Sequence, residues 1–488
     1  MMRRSFQLRT LSACIGLFGC ASLANAAGFN LLEQNASGLG NAYAGSAAIA
    51  DNASTIYFNP AGMSQLPGLQ ISAGANLIGP SFKFKNDGKS RGAYGISRVG
   101  GNGGDAGSFA LVPNLHMTYQ ATDRIHVGLG ISVPFGLKTE YDKDWVGRYH
   151  SQSFEIETIN INPSLSFKVS DTFSIGAGFN IQHIKATYEK AQNTAPLYQG
   201  IRTRLEAGMR NAIAQGDVAT QQRLGFAQRA LQNHCSQNDC NSLDAQTKTK
   251  IKNTAYGWNI GFLYTPSEDT RIGFSYRSRI KHKADGDTNV EYPAPTTGLL
   301  AQFGYSTSAL GAPPHSRAYA TVSLPDMAIL SLYQRLDPKW ELLADVSWTG
   351  WSSIPKLTIK TPDFPIQHST TLYLKFKDAW RIAVGANYQL TDAWKLKTGI
   401  AWDQSPVQKA TYRPASLPDK DRLWLSIGAQ YKPSENTTID VGYTYLQMLG
   451  KAKVNNVNNS DRLVFGHLSG KYKANGHIFG LQLSHRFF

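Results

Sequence analysis

From about residue 68 to the C-terminus, short links and long links alternate without exception. The short ones carry turn chemistry: Thr122-Asp123, Ser170-Asp171, Pro266 to Asp269, Asp337-Pro338, Thr391-Asp392 and Pro433 to Asn436. The long ones fall at about 85–106, 138–152, 186–253, 284–318, 350–369, 405–420 and 447–474. The segments between them alternate with period two. Ile125, Val127, Leu129, Ile131 and Val133 interleave with His126, Gly128, Gly130 and Ser132; Trp394, Leu396, Thr398, Ile400 and Trp402 interleave with Lys395, Lys397, Gly399 and Ala401; Leu423, Leu425, Ile427, Ala429 and Tyr431 do the same around Trp424, Ser426, Gly428 and Gln430. One large apolar face and one small or polar face suit a sheet with lipid on one side and a lumen on the other. Aromatics at strand ends (Trp340 and Trp348, Trp394 and Trp402) match an interfacial girdle and argue against a soluble β-sandwich. Counting the strands predicts an all-β fold, a transmembrane barrel of fourteen antiparallel strands.

The N-terminus supports an export route. Arg3, Arg4 and Arg9 precede an apolar stretch from Leu11 to Ala24, too short to span a bilayer, and Ala24-Asn25-Ala26 is a small-x-small cleavage site. Residues 1–26 therefore read as a signal peptide, with the mature chain starting at Ala27. A lipoprotein site at Cys20 is the weaker reading, because Phe18 is bulky for that motif. No later apolar run is long enough for a membrane helix, so a closed barrel is the way left for this chain to satisfy its backbone in lipid. The formal charge of +15 includes three cations and no acid from the leader. A basic exterior meets anionic lipid head groups; nucleic acid is not an expected partner. After cleavage Cys235 and Cys240 remain, and an oxidising compartment favours a local disulfide between them. Only His234 adjoins them, so no metal site and no cofactor are expected.

The longest link, 186–253, contains helical spacing: Ile201, Leu205, Met209 and Ala212, then Leu224, Ala227 and Leu231. This predicts a partly helical extracellular loop, either packing its own apolar face or offering a greasy landing surface. The final strand places Phe479, Leu481, Leu483 and Phe487 on one face, which suits barrel-assembly machinery, although Phe488 is out of phase. Residues 27–67 are rich in Gly, Ala, Ser and Asn without strand alternation. Such a segment does not fold alone, and inside a wide barrel it would act as a plug.

Here the sequence resembles the FadL family of outer-membrane long-chain fatty acid transporters. The matching residues are Ala27-Gly28-Phe29, Ser37-Gly38-Leu39-Gly40, Ala42-Tyr43-Ala44-Gly45 and Asn59-Pro60-Ala61, followed by Phe376-Lys377-Asp378-Ala379, Gly399-Ile400-Ala401, Ser405-Pro406, and Pro418-Asp419 with Asp421-Arg422. The resemblance covers the whole mature chain. It implies a fourteen-stranded barrel with an N-terminal hatch, in agreement with the independent count. It also implies ligand capture among extracellular loops, a tighter site inside the barrel and sideways exit at a kinked third strand. That strand is Ile125 to Tyr141 here, interrupted by Pro134 and Gly136; proline cannot donate to a ladder and glycine weakens it. Asn59, Pro60 and Ala61 are expected to be the rigid part of the hatch nearest the gap.

Strand parity assigns the lumen. Phe173, Ile175 and Phe179 face lipid, so Ile184, Tyr188 and Lys190 point inward near the extracellular end; so, on their strands, do Phe154, Ile156, Trp424, Leu446 and Met448, and the charges Arg381, Asp403 and Arg422. Apolar side chains with a few cations suit an amphipathic anion: tail burial yields roughly 0.8 kcal/mol per methylene, and Lys or Arg pairs the head. The resemblance adds Phe29 and aligns Lys190 with a basic position that meets the ligand carboxylate. A second family lysine has no clean counterpart; Lys375 is nearby and read as inward. For Arg381, Asp403 and Arg422, a structural ion network is the favoured reading over ligand contact. No nucleophile elbow or Ser-His pair points to an enzyme, and a plugged lumen argues against a diffusion porin. The expected function is uptake of long-chain fatty acids or related hydrophobic compounds by a monomer in contact with lipid and lipopolysaccharide. Uptake of aromatic hydrocarbons is the alternative within the family.

Overall fold

The computed structural model describes residues 28–92, 100–234, 244–302, 304, 306–365, 368–456 and 465–488. The leader, its cleavage site before Ala27, and Cys235 and Cys240 lie outside the described residues.

Fourteen strands follow in order: β1 (Leu69–Asn86), β2 (Ala110–Gln120), β3 (Ile125–Ser132, then Gly136–Glu140), β4 (Ser153–Lys168), β5 (Phe173–Gln192), β6 (Ala245–Ser267) and β7 (Thr270–Arg277, then Ile280–Glu291). The second half comprises β8 (His315–Leu324, then Met327–Arg335), β9 (Trp340–Thr349, then Lys356–Lys360), β10 (Ser369–Tyr373, then Ala379–Gln389), β11 (Trp394–Asp403), β12 (Arg422–Ser434), β13 (Thr437–Met448, then Ala452–Asn455) and β14 (Ser469–Arg486). Each pairs antiparallel with its successor, and β14 closes on β1 from Gln70↔Arg486 to Asn86↔Gly470. Closure leaves no sheet edge in lipid. Among the described residues no helix is long and apolar enough to cross a membrane.

The period-two pattern sorts as read from sequence. Leu330, Leu332, Val384, Ile427, Leu481 and Leu483 lie on the outer face. Aromatic pairs mark both rims: Trp340 with Tyr388 at 4.8 Å and Trp394 with Tyr431 at 4.7 Å near the short turns, Phe179 with Tyr256 at 5.7 Å toward the long loops. Phe488 falls beyond the last strand, its ring edge-on to Tyr119. The loop predicted at 186–253 is shorter: β5 and β6 stay paired to Gln192↔Ala245. Residues 246–250, Gln-Thr-Lys-Thr-Lys, are polar on both faces, so hydropathy alone does not reveal the strand. The helices of this loop are α1 (Ala195–Ala214) and α2 (Val218–His234). Ile201, Leu205, Ala212 and Ala227 are buried, whereas Ile213, Val218 and Phe226 are exposed.

Residues 28–67 fill the lumen. Leu39, Ala42, Ile56, Ala61 and Met63 are fully buried against the inner wall. Wall glycines permit this approach: a Cβ on Gly399 would meet the Asn41 backbone at 2.2 Å, and one on Gly273 the Ala47 carbonyl at 1.9 Å. Polar anchors fix the segment. The Asn41 amide donates to Asn387 at 2.7 Å; Asp345 accepts from the Gly45 N–H at 3.0 Å and the Ser46 hydroxyl at 2.7 Å; the Lys397 ammonium bridges Asp440 at 2.8 Å and the Ser37 carbonyl at 3.0 Å. Lys397 and Asp440 both belong to the wall, so what reaches the segment is the charge-assisted bond to Ser37; a hydrogen bond to a charged group contributes about 1.5–3 kcal/mol, and several such anchors hold the segment in one place.

Candidate functional site

The upper lumen contains a cavity whose walls are almost wholly apolar. Phe154 and Ile156 on β4, and Ile184 and Tyr188 on β5, line it as parity predicted. Phe29 closes it from below, packed edge-on to Trp351 (4.8 Å) and Phe135 (5.9 Å). Leu374 and Phe376 from the β10 interruption and Leu417 from the loop after β11 complete the far side. Trp351 and Leu374 were not picked out in the sequence: both lie in strand interruptions, where parity has no meaning.

Two cations expected in this site stand elsewhere. Lys190 is inward and buried but higher than the cavity; its ammonium lies over the Phe465 ring at 4.3 Å. The Tyr188 hydroxyl donates to the His150 carbonyl between them. Burial, with the charges of Lys190 and His467, holds the His150 imidazole down at about 4, so it is neutral at physiological pH. Lys375 is exposed, with its ammonium over Tyr412 at 4.8 Å. The inward reading of Lys375 is corrected: its backbone has φ 43°, a left-handed turn between the two parts of β10, which breaks the alternation.

Leu446 and Met448 line a second cavity of about 470 Å³, which shares Leu417 with the first and is edged by Asp419, Lys420 and Arg422. Trp424 is in neither cavity; it sits lower, against Tyr43 (6.3 Å) and beneath the Arg381 guanidinium (5.0 Å). Arg381, Asp403 and Arg422 are cross-strand neighbours in one row. Arg422 pairs with Asp403 at 3.7 Å and with Asp419, while Arg381 donates to the Ala42 carbonyl. Asp419 also accepts from the Ser405 hydroxyl (2.7 Å) and the Gly28 N–H (3.0 Å). This network ties down the start of the lumenal segment.

The wall is broken beside this site. Ser132 pairs with Asn160 and Gly136 with Glu157, so Val133, Pro134 and Phe135 stand opposite only Thr158 and Ile159. On the other side β2 meets β3 only from Leu115 downward, leaving Ala110–Asn114 paired with β1 alone. The missing ladder bonds are supplied from inside. The Leu31 N–H donates to the Pro134 carbonyl (2.9 Å), the Gly136 N–H to the Phe29 carbonyl (2.8 Å), and the Gln34 amide both donates to the Val133 carbonyl (2.7 Å) and accepts from its N–H (3.0 Å). Gln34 thus imitates a strand neighbour, and no sequence signal singled it out. Asn59, Pro60 and Ala61 do not border the gap, contrary to expectation. They brace the wall lower down, on β4 to β6: Asn59 donates to the Phe262 carbonyl, the Ala61 carbonyl accepts from Ser166, and Gly176 and Gly261 admit the Asn-Pro turn.

The family described as Outer membrane protein transport protein (OMPP1/FadL/TodX) matches residues 17–487. The chain belongs to the FadL family. Among FadL relatives, the long-chain fatty acid transport protein of Escherichia coli is 33% identical over 439 residues, covering 86% of this chain and 87% of its own. Outer membrane protein P1 of Haemophilus influenzae is 30% identical over 478 residues, 95% and 96% of the two chains. The solved structure of a Pseudomonas aeruginosa FadL homologue superposes with TM-score 0.77 at 27% identity, over 95% of this chain and all of that one. The Pseudomonas putida toluene transporter TodX shares the fold at TM-score 0.60 and 15% identity, over 93% and 98%. This FadL-family member is accordingly an outer-membrane transport protein rather than an enzyme.

Proposed function

We propose that the protein takes up long-chain fatty acids across the bacterial outer membrane, binding them in the upper lumen and releasing them sideways through the break in β3. The carrying observation is one of connection: Phe29 closes the apolar cavity, and its own carbonyl, with Leu31 and Gln34, seals the wall break. A ligand that displaces Phe29 disturbs the seal. Residues 28–67 act as a hatch whose N-terminal turn is the gate and whose Asn59-Pro60-Ala61 part is a fixed brace. The tail lies against Ile184 and Phe154, and the carboxylate points upward to Lys190. Sideways release follows from solvation, since each methylene exposed in a watery passage returns about 0.8 kcal/mol of burial energy. The chain works as a monomer among lipopolysaccharide, inserted by barrel-assembly machinery that reads its aromatic last strand.

One observation favours a second reading. Among the described residues the main cavity has no charged side chain in its lining, which suits a neutral aromatic hydrocarbon as well as a fatty tail. Binding of oleate and of toluene to detergent-purified protein separates the two. Oleate binding that weakens in Lys190→Ala supports the fatty acid; toluene binding with none for oleate overturns it.

A further inference from the structure

The outer face of the β13–β14–β1 seam carries lysines directly opposite one another. Lys471 on β14 faces Lys85 on β1 and Lys453 on β13, and one step lower Lys473 faces Lys83. Directly opposed side chains stand about 5 Å apart at Cβ, where like charges destabilise a sheet. Among the described residues the acids nearby are few. Asp105 meets Lys83 at 3.8 Å, and the Asp87 carboxylate is taken by the Ser469 hydroxyl and the Lys89 N–H. The same face opens into a groove of about 900 Å³. There Gln447 pairs with Asn475 and Ala452 with Tyr472, so four residues oppose two and the ladder parts. Lys83, Lys451 and Lys473 edge this groove, with Ser81 and Asn475 beside them.

Height fixes what meets these lysines. On β14 the outward aromatics run from Phe487 to His477, which contacts Tyr443 and Tyr445. Ten residues of a strand tilted by about 40° rise roughly 26 Å, the thickness of the apolar band of such barrels. Lys473 and Lys471 therefore stand about 10–15 Å above the hydrocarbon edge, at the level of outer-leaflet head groups.

We propose that this seam is a binding site for a phosphorylated glycolipid of the outer leaflet, its phosphates bridging the opposed lysines and its sugars seated in the groove. Phosphate accepts from several ammonium groups at once and removes their mutual repulsion. The site rests on the outer-membrane location of the protein and is independent of what the lumen carries.

The test uses full-length protein in detergent with bisphosphorylated lipid A as probe, retention being read by native mass spectrometry. A Lys85→Gln, Lys453→Gln, Lys471→Gln, Lys473→Gln variant should retain at least about tenfold less, and Lys→Arg at the same positions should retain as much as wild type. A control losing Lys185, Lys250, Lys252 and Lys281 to Gln on the outer face of β5–β7 has the same charge change, but there Lys252, though opposite Lys185, also faces Asp285, and Lys250 faces Asp287; its retention should hold. Heat-modified gel mobility reports folding, and oleate binding measured in parallel separates this result from the cargo reading. Should the Gln variant misfold, wild type decides alone, because dephosphorylated lipid A must be retained at least about tenfold less. Equal retention of the two lipids, or equal loss in variant and control, overturns the proposal.

Discussion

Deleting Pro134 tests the gate with the least disturbance. The break in β3 is a bulge of one residue, because Val133, Pro134 and Phe135 oppose Thr158 and Ile159. Removing one residue lets Val133 face Ile159 and Phe135 face Thr158, and leaves Gly136 opposite Glu157 and Leu137 opposite Ile156 as before. Inside and outside also agree: Ser132 and Leu137 are both inward now, an arrangement that alternation forbids across four intervening residues and allows across three. Deleting Pro134 to Gly136 also preserves alternation but slides Leu137 by two residues along β4, so the single deletion is cleaner. The straightened strand can then pair with Ala110–Asn114 of β2, which have β1 alone as neighbour. Pro113 donates nothing, so about three or four ladder bonds form, at roughly 0.5–1.5 kcal/mol each. A closed wall favoured by about 2–5 kcal/mol lowers the open population roughly 30-fold to several thousand-fold. Uptake of radiolabelled oleate by cells should fall accordingly. Oleate binding to the purified variant should persist, since residues 133–135 do not line the cavity. Normal uptake by a folded variant that binds oleate would refute lateral exit.

Lys190→Ala should weaken oleate binding by about five- to tenfold, the worth of roughly 1 kcal/mol in a charge-assisted contact, while leaving toluene binding unchanged; calorimetry on both ligands checks this. Ile184→Trp narrows the cavity beside Phe154 and Tyr188 and should weaken oleate binding at least about tenfold without affecting barrel folding, read by binding and by gel mobility. Gln34→Leu strands the Val133 N–H and carbonyl inside the lumen at a cost of about 1–3 kcal/mol each, so hydrogen exchange at residues 28–36 should accelerate while the lower brace at Asn59 stays protected. For His150, the unfolded loop takes up a proton near 6.5 and the folded loop only at about 4. Its contribution is therefore complete above about 6.5 and is lost as pH falls toward 4, by about 3 kcal/mol in all. Acid-induced exchange in residues 141–152 should be blunted in His150→Gln, and an unchanged profile would remove His150 as the cause.

The sequence by itself determined the barrel. Period-two alternation and links of alternating length are local properties, and lipid outside with lumen inside leaves one arrangement that satisfies both. Parity alone placed Phe154, Ile156, Ile184 and Tyr188 around the cavity, because within an unbroken strand the side of the sheet follows from counting. The same counting failed at Lys375, where a left-handed residue between strand segments ends the count, and it had no purchase on Trp351 or Leu374. Only the tertiary structure decided what touches the gap. Pro134 announced a break in β3, but the bonds that seal it come from Phe29, Leu31 and Gln34, about a hundred residues away. Nothing local distinguishes Gln34 from other polar residues of the hatch. Its role follows from where the folded chain lays it, and long-range proximity is written in no single segment.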